Sequence, residues 1–107
     1  MKRLALAALL SLSLGAFAQE STDFAITIKD HKFSPDRIEI PAGKKVKLVV
    51  DNQDATPEEF ESHPLKVEKV IPGKSKATIF VGPLKAGEYK FVGEFNEKTA
   101  KGVIVAK

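Results

Sequence analysis

The chain contains no cysteine, no tryptophan and only one methionine among its 107 residues. Without cysteine, disulfide bonds cannot stabilise the fold, and a type-1 copper centre is excluded because it needs a thiolate ligand. Arginine is also scarce, since Arg37 is the only arginine after Arg3. The sequence therefore lacks the basic cluster that nucleic-acid binding requires, and we expect no nucleic-acid partner.

Long hydrophobic runs are absent except at the N-terminus, where the pattern is typical of a secretory signal peptide. Lys2 and Arg3 precede the apolar segment Leu4–Leu14, which is too short to span a bilayer, and Ala16–Ala18 forms an A-x-A cleavage signal. We therefore predict a signal peptide at residues 1–18 and a periplasmic protein that is not inserted in the membrane after cleavage.

The predicted mature region, residues 19–107, has the size and charge of one small neutral domain. Once the leader is removed, 15 basic and 14 acidic residues remain, for a formal charge of +1. A charge so near zero indicates no particular class of partner. A chain of this length can bury a single hydrophobic core without disulfide bonds.

Short alternating segments separated by turn residues run through residues 19–107 and predict an all-β fold. Pro72-Gly73 and Gly82-Pro83 are among the turn signals, because neither pair fits inside a central strand. About seven strands in this length predict a two-sheet Greek-key β-sandwich. The predicted strands are Phe24–Lys29, Arg37–Ile40, Val46–Val50, a run from Leu65, Ala77–Val81, Tyr89–Val92 and Gly102–Ala106.

The stretch TPEEFESHPL, residues 56–65, fits two local structures. Thr56, Pro57 and Glu59 match the capping pattern of a helix of about two turns that Pro64 would end. Phe60 would then be the only large apolar side chain of that helix. We expect extended structure here, with the short helix as the alternative.

The order of these segments resembles that of the cupredoxins. The resemblance covers nearly all of residues 24–106 and implies a cupredoxin-like sandwich. It is carried by Lys32–Pro35, Ile38–Gly43, Val46–Asn52, Pro72–Ser75, Gly87–Phe91 and Gly102–Val105.

The copper ligands of blue cupredoxins do not carry over to this chain. Gly93, Asn96 and Ala100 stand at the positions that match three of those ligands. The motif Glu59-Phe60-Glu61 instead resembles the E-aromatic-E motif of EfeO-type cupredoxin-like domains from bacterial iron-uptake systems. That resemblance implies a periplasmic metal-handling role beside an iron permease, with an iron or copper ion as the bound species.

Three carboxylates are the candidate metal ligands. If residues 58–62 are extended, Glu59 and Glu61 project from one face with Cα atoms roughly 6.6 Å apart, and Phe60 points into the core. Two carboxylates so close either share a cation or raise one pKa, although a solvated acidic edge is an equal alternative. The fold family would bring Glu94 to the same end of the sandwich.

Other polar and aromatic residues are given plainer roles. His63 has the strand parity of Glu61 and would complete a mixed nitrogen and oxygen site, but an exposed loop histidine is the interpretation that we favour. Glu97 is interpreted as ordinary surface charge. The aromatic residues Phe33, Phe60, Phe80, Tyr89, Phe91 and Phe95 are expected in the core or at its edge.

Two functions remain open from the sequence. The first is a metal-binding accessory protein that holds iron or Cu(II) through Glu59, Glu61 and Glu94, and presents or oxidises it beside a membrane transporter or its periplasmic partner. The second is a metal-free sandwich that acts as a protein-interaction module. No nucleophile and base are arranged as in a hydrolase, so a stand-alone enzyme is not expected.

Overall fold

The computed structural model describes residues 21–107, so the predicted signal peptide lies outside the described residues. Within residues 21–107, no helix has the length and apolar character needed to cross a membrane. The elements in chain order are β1 (Asp23–Lys29), β2 (Lys32–Ser34), β3 (Arg37–Ile40), β4 (Val46–Asn52), β5 (Glu58–Ser62), β6 (Val67–Ile71), β7 (Ser75–Val81), β8 (Gly87–Gly93), a 3-10 turn (Glu94–Asn96) and β9 (Lys101–Ala106).

The strands form two sheets, which confirms the predicted all-β sandwich. The first sheet has the order β2-β1-β4-β7 and the second has the order β3-β9-β8-β5-β6. The pairs β1–β4 and β3–β9 are parallel, and the other neighbours are antiparallel. The described region has nine strands rather than about seven, because β2 and β5 are strands in addition to the seven predicted segments.

The TPEEFESHPL stretch is extended, and the helical alternative is wrong. Residues Glu58–Ser62 form a strand between β6 and β8 in the second sheet. The next strand begins at Val67 rather than at Leu65, because Lys66 has a positive φ of 56° and its N–H bonds the carbonyl of His63. A turn therefore occupies the first two residues of the predicted run.

The core lies between the sheets and contains a cluster of three phenylalanine rings. Phe33 comes from the first sheet, whereas Phe60 and Phe91 come from the second. Phe60 stacks on Phe91 with ring centroids 4.8 Å apart, and Phe33 meets Phe91 edge-on at 4.9 Å. Such ring pairs stabilise a core beyond the area that they bury. The cluster joins the two sheets beneath β5.

Two of the predicted core-edge aromatic residues are instead exposed. Phe80 lies on the outer side of β7 and is 58% exposed, with the Lys45 ammonium 4.8 Å from its ring centroid. Phe95 lies in the 3-10 turn and is 52% exposed. Tyr89 is half-buried against the core, as expected, and its hydroxyl donates to the carbonyl of Lys85.

Asn52 fixes the loop that leads into β5. The side chain is fully buried, and its amide donates to the carbonyls of Thr56 and Ile71 at 2.9 and 3.1 Å. Its Oδ1 atom accepts from the backbone N–H of Asp54 at 3.1 Å. The carboxylate of Asp54 in turn accepts from two backbone N–H groups of the β1–β2 turn, which lowers its pKa. One buried amide therefore joins β4, the loop before β5 and the end of β6.

We predict that Asn52→Ala destabilises the protein by about 2–3 kcal/mol, because it leaves buried carbonyls and one N–H without their partner. Chemical denaturation of the mature chain measures the change. Gln53→Ala is the matched control, since the exposed Gln53 side chain bonds only Asp51, and it should change stability by less than about 0.5 kcal/mol. Equal effects from the two substitutions would contradict the role of Asn52.

Candidate carboxylate site

The alternation of β5 divides its residues between the core and the outer face of the second sheet. Phe60 is fully buried in the core, and Glu58 and Ser62 share its direction with 1% exposure each. Glu59 and Glu61 therefore project from the opposite face, as the period of two predicts. Glu58 is therefore an inward-facing carboxylate, which was not among the candidates predicted from the sequence.

Glu61 is almost fully buried although it lies on the outer face. Its residue exposure is only 6%, and Glu68 of β6 lies directly opposite it in the strand register. A hydrogen bond to the Glu94 carboxyl group raises the pKa of Glu61 to about 7, with further contributions from burial and then from Glu68. Among the described residues, the closest basic atom is Nε2 of His63, which lies 3.9 Å from a carboxylate oxygen of Glu61.

Within residues 21–107, no amide or hydroxyl group donates a hydrogen bond to the Glu61 carboxylate. His63 does not replace such a donor, because 3.9 Å exceeds hydrogen-bonding distance and its side chain is 88% exposed. A buried carboxylate without donors is unfavourable in its charged form. The contact with Glu94 and burial therefore favour the protonated form of Glu61 at a pH where exposed glutamates are ionised.

Glu59 belongs to the same group of acids but is less enclosed. It is half-buried, and its pKa is raised by burial and then by the charges of Glu68, Glu94 and Glu58. The structure thus brings all three predicted ligands to one end of the second sheet. We refer to Glu59, Glu61, Glu68 and Glu94 as the acidic cluster.

Glu68 is the member of the acidic cluster that sequence reasoning missed. Its position opposite Glu61 depends on the β5–β6 register, which the turn at residues 63–66 sets. In the part of the chain that the structure describes, no three histidine, aspartate or glutamate side chains are arranged to hold a metal ion together. The assignment of Glu59, Glu61 and Glu94 as metal ligands stays a prediction.

Glu58 makes the most extensive side-chain hydrogen bonds at this end of the sandwich. Its Oε1 atom accepts from the backbone N–H groups of Phe95 at 2.8 Å and Glu59 at 3.0 Å. Its Oε2 atom accepts from the amide of Asn96 at 2.7 Å. The carboxylate thereby links the first residue of β5 to the 3-10 turn that carries Glu94.

Glu58 fills the space beside Gly93, so position 93 has no room for a side chain. A Cβ atom at position 93 would lie 2.7 Å from Cδ of Glu58 and 2.7 Å from Cβ of Ala100. Real Cβ atoms do not approach heavy atoms so closely, so any side chain at position 93 would displace Glu58 or the loop at Ala100. The end of β8 and the start of β5 are therefore packed through this carboxylate.

A groove opens beside Glu61 on the outer face. It has a volume of about 450 Å³. Glu61, Ser62, His63, Lys66, Val67 and Glu68 line it. The groove gives a small cation or a partner's side chain access to the less exposed side of the acidic cluster. Glu97 is exposed and lines a different depression, together with His31 and the 3-10 turn.

The fold and this loop end can be compared with known proteins. A family model described as a cupredoxin-like domain matches residues 2–106, which is nearly the whole chain. The chain belongs to the cupredoxin-like domain family. This confirms the family-level resemblance found in the sequence.

This cupredoxin-like protein is similar in sequence to a bacterial relative, and similar in fold to two solved structures described here. The chain is 46% identical over 80 residues to an uncharacterized protein of Rickettsia prowazekii (strain Madrid E), and the match covers 75% of this chain and 64% of that protein. The metal-binding domain of the Cu(I)-exporting P-type ATPase CopA from Streptococcus pneumoniae D39 has a TM-score of 0.69 at 15% identity, covering 84% of this chain and 91% of that one.

The second structure is an apo form of a copper-binding protein, with a TM-score of 0.71 at 17% identity. The match covers 83% of this chain and 92% of that protein. At these identities the likeness to the two structures concerns the fold alone. The cupredoxin-like sandwich of this chain is thus related in architecture to proteins that bind copper.

A type-1 copper centre does not fit the residues at this end of the cupredoxin-like chain. The chain has no cysteine to supply a thiolate, which is consistent with the prediction that no such centre is present. The Glu58 carboxylate, moreover, fills the space in front of Gly93.

The raised pKa of Glu61 predicts a specific pH dependence of stability. Because its pKa rises from 4.5 to about 7 on folding, Glu61 favours the folded state below pH 4.5, and this contribution is lost as the pH rises through 7. We therefore expect Glu61→Gln to gain stability relative to wild type as the pH increases from about 4.5 to about 7.5.

Denaturant unfolding of both proteins across that range measures the difference. Glu88→Gln, which removes an exposed carboxylate from β8, controls for the lost charge. Parallel curves for Glu61→Gln and wild type would show that Glu61 titrates normally.

Proposed function

We propose that this cupredoxin-like protein binds a metal cation through the acidic cluster and presents it to another component of a metal-uptake system. The proposed ligands are Glu59, Glu61 and Glu94, with Glu68 beside them. The single observation that supports the proposal best is the Glu61 carboxylate, which is buried among acids and receives no amide or hydroxyl donor from residues 21–107.

A cation would remove the electrostatic penalty of this arrangement. At neutral pH, ionisation of Glu61 next to Glu94 and Glu68 brings like charges together, and burial adds to the cost. A bound cation would offset that repulsion and replace the proton that Glu61 holds below its raised pKa. Rotation of the half-buried Glu59 side chain towards Glu61 and Glu94 would complete the set of oxygen ligands.

The chemistry of the ligands favours iron or Cu(II) as the cation. Carboxylate oxygens are hard anionic ligands and stabilise highly charged ions such as ferric iron, and His63 at the rim offers an imidazole that copper or ferrous iron would accept. The family relationship to copper-binding folds supports copper, and the E-aromatic-E resemblance supports iron. We propose a transferable ion, since the groove leaves the cluster open to solvent and partners.

The proposed setting is the periplasm, beside a membrane permease or its periplasmic partner. This setting rests on the leader sequence and on the resemblance to EfeO-type domains. The exposed Phe95 ring lies next to Glu94 in the 3-10 turn and would contact such a partner where the ion is delivered.

We predict that the purified mature chain binds one equivalent of Fe(II), Fe(III) or Cu(II), and that Glu59→Gln/Glu61→Gln lowers the affinity at least about a hundredfold, because it removes two direct ligands. Isothermal titration calorimetry with these ions and Zn(II) measures the affinity. Glu39→Gln/Glu88→Gln, which removes two carboxylates away from the cluster, is the matched control.

Affinity should also fall as the pH drops from about 7.5 to about 5.5, because protons compete for the Glu61 oxygens. Wild-type protein that binds none of the four ions would contradict the proposed function. So would equal losses in the two double variants.

A metal-free interaction module is the second candidate, and the hydrogen bonds of Glu58 favour it. With these hydrogen bonds, protein groups alone fill the end of the sandwich in front of Gly93. In that case Phe95 and the 3-10 turn would dock a partner, and the acidic cluster would only adjust the pH range of docking. Absence of stoichiometric ion binding in the calorimetric titration would favour this candidate.

A further inference from the structure

Glu58 lies outside the proposed ligand set, yet it organises the turn that carries one of the ligands. We propose that Glu58 is the positioning residue of the acidic cluster, whose carboxylate ties the 3-10 turn to β5 and thereby sets Glu94 against Glu61. The effect on ion affinity rests on the proposed function, whereas the positioning itself does not.

The strength of the tie follows from its chemistry. One carboxylate accepts three hydrogen bonds, two of them from the 3-10 turn, namely Phe95 N–H at 2.8 Å and the Asn96 amide at 2.7 Å. Hydrogen bonds to a charged acceptor are stronger than neutral ones, and this acceptor is only 1% exposed. Burial of the charge is tolerable only because all these donors face it.

The 3-10 turn has few other attachments to the sheet. Its N-cap residue, Gly93, supplies no side-chain hydrogen bond, and the β5–β8 ladder ends at the pair Phe60 and Gly93. Apart from the contact between Glu61 and Glu94, the hydrogen bonds of residues 21–107 give β5 no other link to this turn. Without Glu58, the turn would be held mainly by its own loop.

Glu94 lies between two residues that Glu58 constrains. On one side, Gly93 packs directly against Cδ of Glu58, and on the other side Phe95 donates its N–H to Oε1. The backbone of Glu94 is therefore fixed before and after its Cα atom. This constraint holds the Glu94 carboxyl group within hydrogen-bonding reach of Glu61, despite the repulsion that ionisation of both groups creates.

Three variants separate positioning from general stability. Glu58→Met removes every acceptor and keeps the length of the side chain. Glu58→Gln keeps an acceptor for Phe95 N–H and, if the Asn96 amide rotates, a partner for that group too. Ser62→Ala is the matched control, because Ser62 faces the core from the same strand and donates to the carbonyl of Lys90.

Two NMR measurements on the full mature chain report on the turn. We expect Glu58→Met to speed hydrogen exchange of the Phe95 amide by about tenfold or more, since its hydrogen bond is lost. We also expect the backbone amide shifts of Glu94 and Asn96 to move towards their random-coil values, because the turn is no longer tied to β5. Glu58→Gln should restore both wild-type readouts, and Ser62→Ala should change neither while lowering stability.

The opposite results would overturn the proposal. Glu58→Met with wild-type exchange at Phe95 and wild-type amide shifts at Glu94 and Asn96 would show that the turn holds itself. The same changes in amide shift in Ser62→Ala would reduce Glu58 to a general stabilising role. If Glu58→Met does not fold, Asn96→Ala removes one hydrogen bond from the solvent side and must move the Glu94 amide shift in the same direction.

Ion titration of the same variants distinguishes the two proposals. If wild type binds an ion, Glu58→Met should weaken binding by about tenfold or more, as loss of a supporting residue does, and unchanged affinity would overturn the link to the site. If wild type binds none, the proposed function fails and the two NMR readouts alone decide the positioning role.

Discussion

The carboxylate of Glu58 accepts three hydrogen bonds where β5 begins and β8 ends, and the geometry of that end of the sandwich depends on it. The same group fills the space in front of Gly93 and fixes the turn that carries Glu94. A buried charge is normally a cost to folding. Here the surrounding donors offset that cost. Their hydrogen bonds connect β5 rigidly to the 3-10 turn, which has few other hydrogen bonds to that strand.

The acidic cluster is a consequence of that rigidity. Glu61 lies opposite Glu68 across the β5–β6 hairpin and next to Glu94 from the turn, so its carboxylate has other carboxylates as neighbours and little exposure to water. The fold thus maintains a local electrostatic conflict that either a proton or a cation relieves. The stability of this end of the sandwich therefore depends on pH, because the conflict grows as the pH rises through 7.

Strand periodicity predicted the sandwich and the outward direction of Glu59 and Glu61, since a period of two needs only local sequence. The same parity places Glu58 beside Phe60 in the interior, but two of its three hydrogen-bond donors are 37 and 38 residues away, so the local sequence does not show that its charge is satisfied. Glu68 was missed because the register across the 63–66 turn depends on a positive φ at Lys66. Phe80 and Phe95 were misassigned because hydrophobicity alone does not show which face of a strand or turn is covered.

The central claim is that the fold forces the Glu61 and Glu94 carboxyl groups together, and a double-mutant cycle tests it most directly. Stabilities of wild type, Glu61→Gln, Glu94→Gln and the double variant are measured at pH 8 and pH 5. The account predicts that each single substitution relieves the same repulsion at pH 8, so that the double variant gains less than the sum, and that this coupling disappears or changes sign at pH 5, where Glu61 holds its proton. Additive effects at both pH values would contradict it.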